Sequence, residues 1–175
     1  MATLLQENTK TQEHYWNRMA QFKFDLNYYS YYFSFCVKFL RYWKIAISVV
    51  TALVTGAWMN WGKSATVGLA CAILILILQG LNAASELFPH ENRKRELREM
   101  ELLLEPVYED MEADWFRIAE GEMNRDEVAE KLKEYEKKKR EILQHYFKDD
   151  AIPDRKKVRE KANRETRDYI QTNLM

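Results

Sequence analysis

The sequence predicts an all-α membrane protein: a two-transmembrane helical hairpin, preceded by a long N-terminal helix and followed by a cytosolic helical, coiled-coil-like tail. Two long apolar runs stand only three residues apart, and from Ile45 to Ser85 the only charge is Lys63. Charge is segregated around them, with six bases and three acids before Ile45 and 24 acids and 20 bases from Glu86 onward. Beyond Glu86 apolar residues recur every three or four positions, as a helix with one buried face requires. The chain-wide balance of 27 basic and 27 acidic residues conceals this division.

The first run, Ile45–Trp61, holds 17 residues without a charge. At the helical rise it covers about 25 Å, slightly short of a roughly 30 Å hydrocarbon core. The aromatic stretch before it supplies the missing length. The second run, Ala65–Ser85, covers about 31 Å unaided. Gly62-Lys63-Ser64 is too short for anything but a hairpin turn. Paired helices buried in a soluble protein normally keep a polar stripe, and neither run is polar along a whole face. The expected organisation is therefore a cytosolic and interfacial aromatic helix over 1–44, a membrane hairpin over 45–86 (spans 45–61 and 65–85) and a cytosolic helical region over 87–175.

Orientation follows from the flanking bases. Lys38, Arg41 and Lys44 precede the first span, and Arg93, Lys94, Arg95 and Arg98 follow the second. The turn offers Lys63 alone, so both termini are expected in the cytoplasm. Trp58 and Trp61 then mark the outer interface, with Tyr42 and Trp43 on the inner one. The polar opening of the chain shows no cleavable secretion signal.

Two small-xxx-small pairs lie within the runs, Ala52 with Gly56 and Gly68 with Ala72. A hairpin centred on Gly62 sets Ala52 opposite Ala72 and Gly56 opposite Gly68, where small residues permit close helix approach. Ser48, Thr51 and Thr55 share one helix face; Gln79, Asn82 and Glu86 share another. Polar groups in lipid need a partner or water. These stripes are candidates either for helix–helix hydrogen bonding or for lining a pore.

Phe22–Trp43 carries eleven aromatic residues and no Pro or Gly, so it continues as helix into the first span. With Lys38, Arg41 and Lys44 on one arc, it suits a helix at the headgroup region. Stacking on nucleic acid is the competing account; the adjacent span already explains the aromatics, and no direct nucleic-acid binding is expected.

In the tail, Leu97, Met100, Leu104, Val107, Met111, Trp115 and Ile118 form one stripe. Pro106 should kink or split that helix, and Gly121 should end it. Asn124 followed by Glu127 matches a capping box. The next helix carries Val128, Leu132, Tyr135, Ile142 and Tyr146, with Lys139 in an expected apolar slot. Glu127–Lys131, Glu134–Lys138 and Glu136–Arg140 are i,i+4 pairs. Pro153 opens a last helix with Val158, Ala162, Tyr169 and Ile170. Such thin stripes usually pair with other helices, so a homo-oligomer seam is expected along them. The run Lys137–Arg140 reads as a solvated face because acids surround it.

No catalytic constellation emerges. His14, His90 and His145 lack metal-ligand spacing. Cys36 and Cys71 are expected to be small packing residues. Phosphate loops, nucleophile elbows and CxxC are missing. No enzyme activity, cofactor or metal is expected.

The order of parts resembles the SLATT family of small bacterial two-transmembrane proteins. The likeness lies in the long aromatic N-terminal helix, a hairpin starting near KFLRYWKIAISVV and ending at LNAASELF, and the charged helical tail. It covers most of the chain and rests on architecture, without a catalytic motif. The resemblance implies a multi-pass protein of the bacterial inner membrane. It further implies an antiphage effector that oligomerises and permeabilises or depolarises that membrane in abortive infection. The implied sensing partner is a nucleotide-signal synthase or a reverse transcriptase. The alternative class is a membrane anchor or scaffold whose cytosolic helices recruit a soluble partner.

Overall fold

The computed structural model describes residues 2–61, 64–86, 89–147 and 152–174, with the backbone alone described for 2–8, 57, 60, 61, 65, 67, 81–86 and 89–92. The chain is all-α: α1 (Ala2–Trp61), α2 (Ala65–Glu86), α3 (Pro89–Ala119), α4 (Arg125–Tyr146) and α5 (Lys156–Asn173). It divides into two compact units, Met1–Phe33 with Glu96–Met175, and Ser34–Arg95. The division falls inside α1 and α3, at 33/34 and 95/96, and so differs from the expected boundaries at 44/45 and 86/87.

The first unit is a four-helix bundle. In it the N-terminal part of α1 runs antiparallel to α3, with Gln12 donating to the Ile118 carbonyl at 3.0 Å and Tyr15 to that of Met111 at 2.9 Å. It also runs antiparallel to α5, where Asn27 donates to Thr166 at 2.9 Å and Tyr31 to Glu165 at 3.2 Å. Towards α4 it is parallel: Arg18 pairs with Glu136 at 3.3 Å, and Asp25 with Lys139 further along both helices.

Tyr15, Met19, Phe22 and Leu26 recur at 4-3-4 spacing and are buried. Also buried in this unit are Leu97, Met100, Leu104, Tyr108, Met111 and Ile118 of α3, Val128, Leu132 and Tyr135 of α4, and Val158 and Ala162 of α5. Each fully buried large side chain contributes about 1.5–3 kcal/mol relative to exposure. This core corrects two expectations. Leu97, Met100, Leu104, Met111, Ile118, Val128, Leu132 and Tyr135 were assigned to an oligomer seam, yet they fill the interior of one chain. Val107, Trp115, Ile142 and Tyr146 are half-buried beside them. The aromatics from Phe22 to Tyr32 contribute to the bundle instead of a headgroup layer, because the stripe they form meets the equally thin stripes of α3 to α5.

Local signals explain the helix ends. α3 passes through Pro106 without a break. Gly121 has φ +79°. There the Glu122 N–H reaches the Arg117 carbonyl at 3.0 Å and the Gly121 N–H that of Ile118 at 3.1 Å, the double closure of a Schellman turn. The capping box forms as expected, Asn124 accepting from the N–H groups of Asp126 and Glu127 while Glu127 accepts from that of Asn124. α5 begins at Lys156, after Pro153, and Arg155 makes no side-chain cap. Tyr28 substitutes for one, donating to the Pro153 carbonyl at 2.7 Å and accepting from the Arg155 N–H at 3.0 Å.

Candidate functional site: an apolar helical pair

The second unit consists of the later part of α1, α2 and the first residues of α3. On α1, Cys36, Leu40 and Ile47 are buried, with Trp43, Thr51 and Val54 half-buried along the same face. On α2, Cys71, Ala72, Ile75 and Leu78 are half-buried. Neither cysteine is in a disulfide; Cys36 is packed inside and Cys71 partly covered. The outward faces are apolar. Phe39, Tyr42, Ile45, Val49, Val50, Leu53, Trp58 and Met59 of α1 are exposed, as are Leu69, Ile73, Leu74, Leu76 and Ile77 of α2. Leu53 and Met59 are 68% and 84% exposed. In the bundle only Leu102, Leu103 and Phe116 are large apolar residues of comparable exposure among those described. Patches of this extent mark contact with a membrane or a partner.

Lys38, Arg41 and Lys44 are exposed at the start of this unit, as are Lys94 and Arg95 at its end, with Arg93 half-buried between chain neighbours. Arg98 belongs to the bundle and pairs with Glu101 at 3.1 Å. Tyr42 and Trp58 are exposed, as an interfacial anchor requires. The Trp43 indole N–H is buried without a hydrogen-bond partner among the described residues, which does not suit a headgroup contact. The Trp61 side chain lies outside the described residues, as does the turn at 62–63.

Ser48 donates to the Lys44 carbonyl at 2.9 Å, Thr51 to that of Ile47 at 2.8 Å and Thr55 to that of Thr51 at 2.8 Å. Each hydroxyl is therefore satisfied by its own helix four residues back. The stripe needs neither an α2 partner nor pore water, which removes the reason for assigning these three residues to a pore. Gln79 is exposed, and the side chains of Asn82 and Glu86 lie outside the described residues.

On α1 the small-residue register is not seen among the described residues: Ala52 is exposed, and a Cβ built at Gly56 would meet nothing within 4 Å. On α2, Gly68 and Ala72 are half-buried. Among the described residues, no helix is long and apolar enough to cross a membrane. The side chains described without interruption on α2 run only from Gly68 to Gly80, about 20 Å, whereas its full 22 residues reach about 33 Å.

The bundle holds polar features that local patterning does not reveal. Asp114 is buried and accepts from the Tyr135 hydroxyl at 2.7 Å, from Arg117 at 3.3 Å and from Lys131 at 3.3 Å. Burial raises its carboxyl, but the Tyr135 hydroxyl, Lys131 and Arg117 more than reverse this and hold it below the ordinary value. Lys23 sits 3.7 Å from the Tyr169 ring centroid and 4.6 Å from that of Tyr108. Burial depresses its ammonium, and Glu112, Glu105, Glu165 and Glu109 oppose that only in part. Burial and the Glu112 carboxylate, which accepts a hydrogen bond from its hydroxyl at 2.8 Å, push Tyr169 up to about 12.

An open groove of about 1060 Å³ lies between α1, α4 and the start of α5, lined by Arg18, Tyr28, Lys139, Arg140, Phe147 and Arg159 among others. Its bases are largely matched: Arg18 by Glu136, Lys139 by Asp25 and Arg159 by Asp154. No group of three or more potential metal ligands is present among the described residues. Comparison with protein-family models, curated proteins and solved structures finds no match.

Proposed function

We propose that this chain is a membrane-embedded effector of bacterial antiphage defence. It assembles, and on a trigger permeabilises or depolarises the inner membrane. One observation carries the membrane part: exposed large apolar side chains are concentrated between Phe39 and Ile77, on the two helices with the longest uncharged runs. Water penalises such a surface at about 25 cal/mol per Å² of apolar area, and lipid does not. The internally bonded hydroxyls of Ser48, Thr51 and Thr55 lower the desolvation cost of placing the first helix in hydrocarbon. The defence role is supported by the resemblance to SLATT proteins. Both termini remain on the cytoplasmic side, where the flanking bases hold them.

Two helices cannot enclose water, so permeabilisation requires several copies. Gln79 and Asn82 are the side chains assigned to the conducting path. The bundle receives the trigger, which must favour the conducting arrangement over the resting one through differential binding. A sensor such as a nucleotide-signal synthase or a reverse transcriptase fits that role. Membrane potential in cells expressing the chain tests this reading. Induction with its trigger should collapse the potential, and Gln79→Leu with Asn82→Leu should preserve expression while reducing the leak. Unchanged leak from that double variant would remove both residues from the path.

The groove on the bundle favours a second reading, a membrane anchor whose bundle recruits a soluble partner. A potential that never changes, together with a partner retained on the bundle, would favour it.

A further inference from the structure

The outer face of α3 carries an apolar stripe that the bundle does not cover. Leu102, Pro106, Ala113 and Phe116 recur along it and are exposed, Leu102 at 51% and Phe116 at 49%. The stripe covers about 21 Å of helix. Exposed carboxylates flank and interrupt it: Glu105 on one side, Asp110 on the other, and Glu109 within it, between Pro106 and Ala113. None of these three makes an ion pair among the described residues. From Glu96 to Ala119 eight acids stand against two arginines, Arg98 and Arg117, and both arginines are engaged by Glu101, Asp114 and Glu122. Two α3 faces set against each other would oppose like charges on both flanks of the stripe, which disfavours symmetric pairing.

The complementary surface is on the same chain. α5 buries Val158, Ala162 and Thr166, which directs Lys157, Glu160, Arg164 and Arg167 outward. Over its length α5 holds six bases and three acids. Lys157, Arg164 and Arg167 are exposed and make no ion pair among the described residues. Lys157 to Gln171 also covers about 21 Å, the length of the α3 stripe. Long basic side chains lay their methylene stems along apolar surface while their charged ends reach nearby carboxylates.

We infer that the outer face of α3 docks the basic outer face of α5 from a second copy of this chain, in a head-to-tail contact that repeats from copy to copy. Arg164 and Arg167 lay their stems along the middle of the stripe, beside Pro106 and Ala113, and their guanidinium groups meet Glu105, Glu109 and Asp110. Because the two faces differ, every copy offers one of each, and such contacts close into rings when the rotation between copies permits. The inference rests on the assembly proposed above and names its surface.

The full chain in lipid nanodiscs tests it, with mass read at low and high salt. The parent should assemble at low salt and lose assembly as salt rises, because the flanking charges are exposed. Reversing α3 (Glu109→Lys with Asp110→Lys) or α5 (Arg164→Glu with Arg167→Glu) should each weaken self-association by about tenfold or more. An equimolar mixture of the two variants should recover assembly, because each then supplies the face the other lacks. A variant that had merely misfolded would not be rescued by mixing. Parent-like assembly of both variants, or failure of the mixture to recover, overturns the α3–α5 contact while leaving assembly intact. A parent that stays monomeric at every salt concentration overturns the assembly reading itself.

Discussion

Tyr135→Phe removes one hydroxyl from the buried centre of the bundle and leaves ring packing unchanged. That hydroxyl donates to the Asp114 carboxylate at 2.7 Å, the shortest of the bonds that hold this acid. A hydrogen bond to a charged group contributes about 1.5–3 kcal/mol, and Lys131 and Arg117 remain to stabilise the carboxylate, so a loss of about 1.5 kcal/mol is expected. For a chain of this size that corresponds to a fall in Tm of about 3–6 °C. The pH dependence has a defined sign. The Asp114 pKa is lowered in the folded state from 3.8, so its contribution is present above that value and is lost as pH falls through the folded pKa. Thermal unfolding followed by circular dichroism in detergent should therefore show a clear gap between parent and variant at pH 7, and a gap that narrows as pH falls below the ordinary carboxyl value. A gap that stays constant across that range, or is absent at pH 7, refutes the assignment of Asp114 as a charged, Tyr135-bonded centre.

Gly121→Ala places a side chain at φ +79°, where open space surrounds the new Cβ but the left-handed backbone penalises it. A loss of about 1 kcal/mol in the same melt is expected, and no loss would mean that the turn relaxes elsewhere. The combination Ser48→Ala, Thr51→Val and Thr55→Val should leave leak and membrane integration unchanged, because each hydroxyl is satisfied by its own helix. A large drop in leak would return these residues to the conducting path. Lys139→Met should destabilise the bundle by uncoupling Asp25 inside a partly buried pair, with a cost of about 1–3 kcal/mol read by denaturant unfolding. An unchanged midpoint would place that pair with ordinary surface contacts.

Features written in adjacent residues were legible. The capping box at Asn124 and Glu127, the stop at Gly121 and the buried stripes of α3 and α4 all follow from short-range pattern. What the stripes meet was not, because periodicity gives a face and no partner. Tyr15, Met19, Phe22 and Leu26 carry a 4-3-4 signal as clear as that of α3, yet the aromatics around them also suit a headgroup layer. Charge pairs show the same limit. Glu134 keeps Lys138 at 2.7 Å, whereas Lys131 turns to Asp114, Glu136 to Arg18 and Glu127 to the cap. Lys131 finds a buried carboxylate and Glu127 an unsatisfied N–H, and either outweighs a surface i,i+4 pair of about 0.3–0.5 kcal/mol, whereas Glu136 exchanges one exposed arginine for another. Asp114 and Thr166 escaped notice because a polar residue on a buried face signals nothing until its partner helix is in place. In the apolar pair, composition located the exposed surface but not its packing face: of the small residues expected at a close crossing, Ala52 is exposed and Gly56 has open space where a Cβ would stand.

The central claim is that the apolar pair resides in lipid, and membrane extraction tests it most directly. Membranes from cells expressing the full chain are washed with alkaline carbonate and then with urea, and the chain is followed in pellet and supernatant. Retention in the pellet through both washes, with release only by detergent, is the expected result, since about 25 cal/mol per Å² holds the exposed apolar face between Phe39 and Ile77 out of water. Recovery of the chain in the supernatant as a monodisperse species without detergent would contradict it.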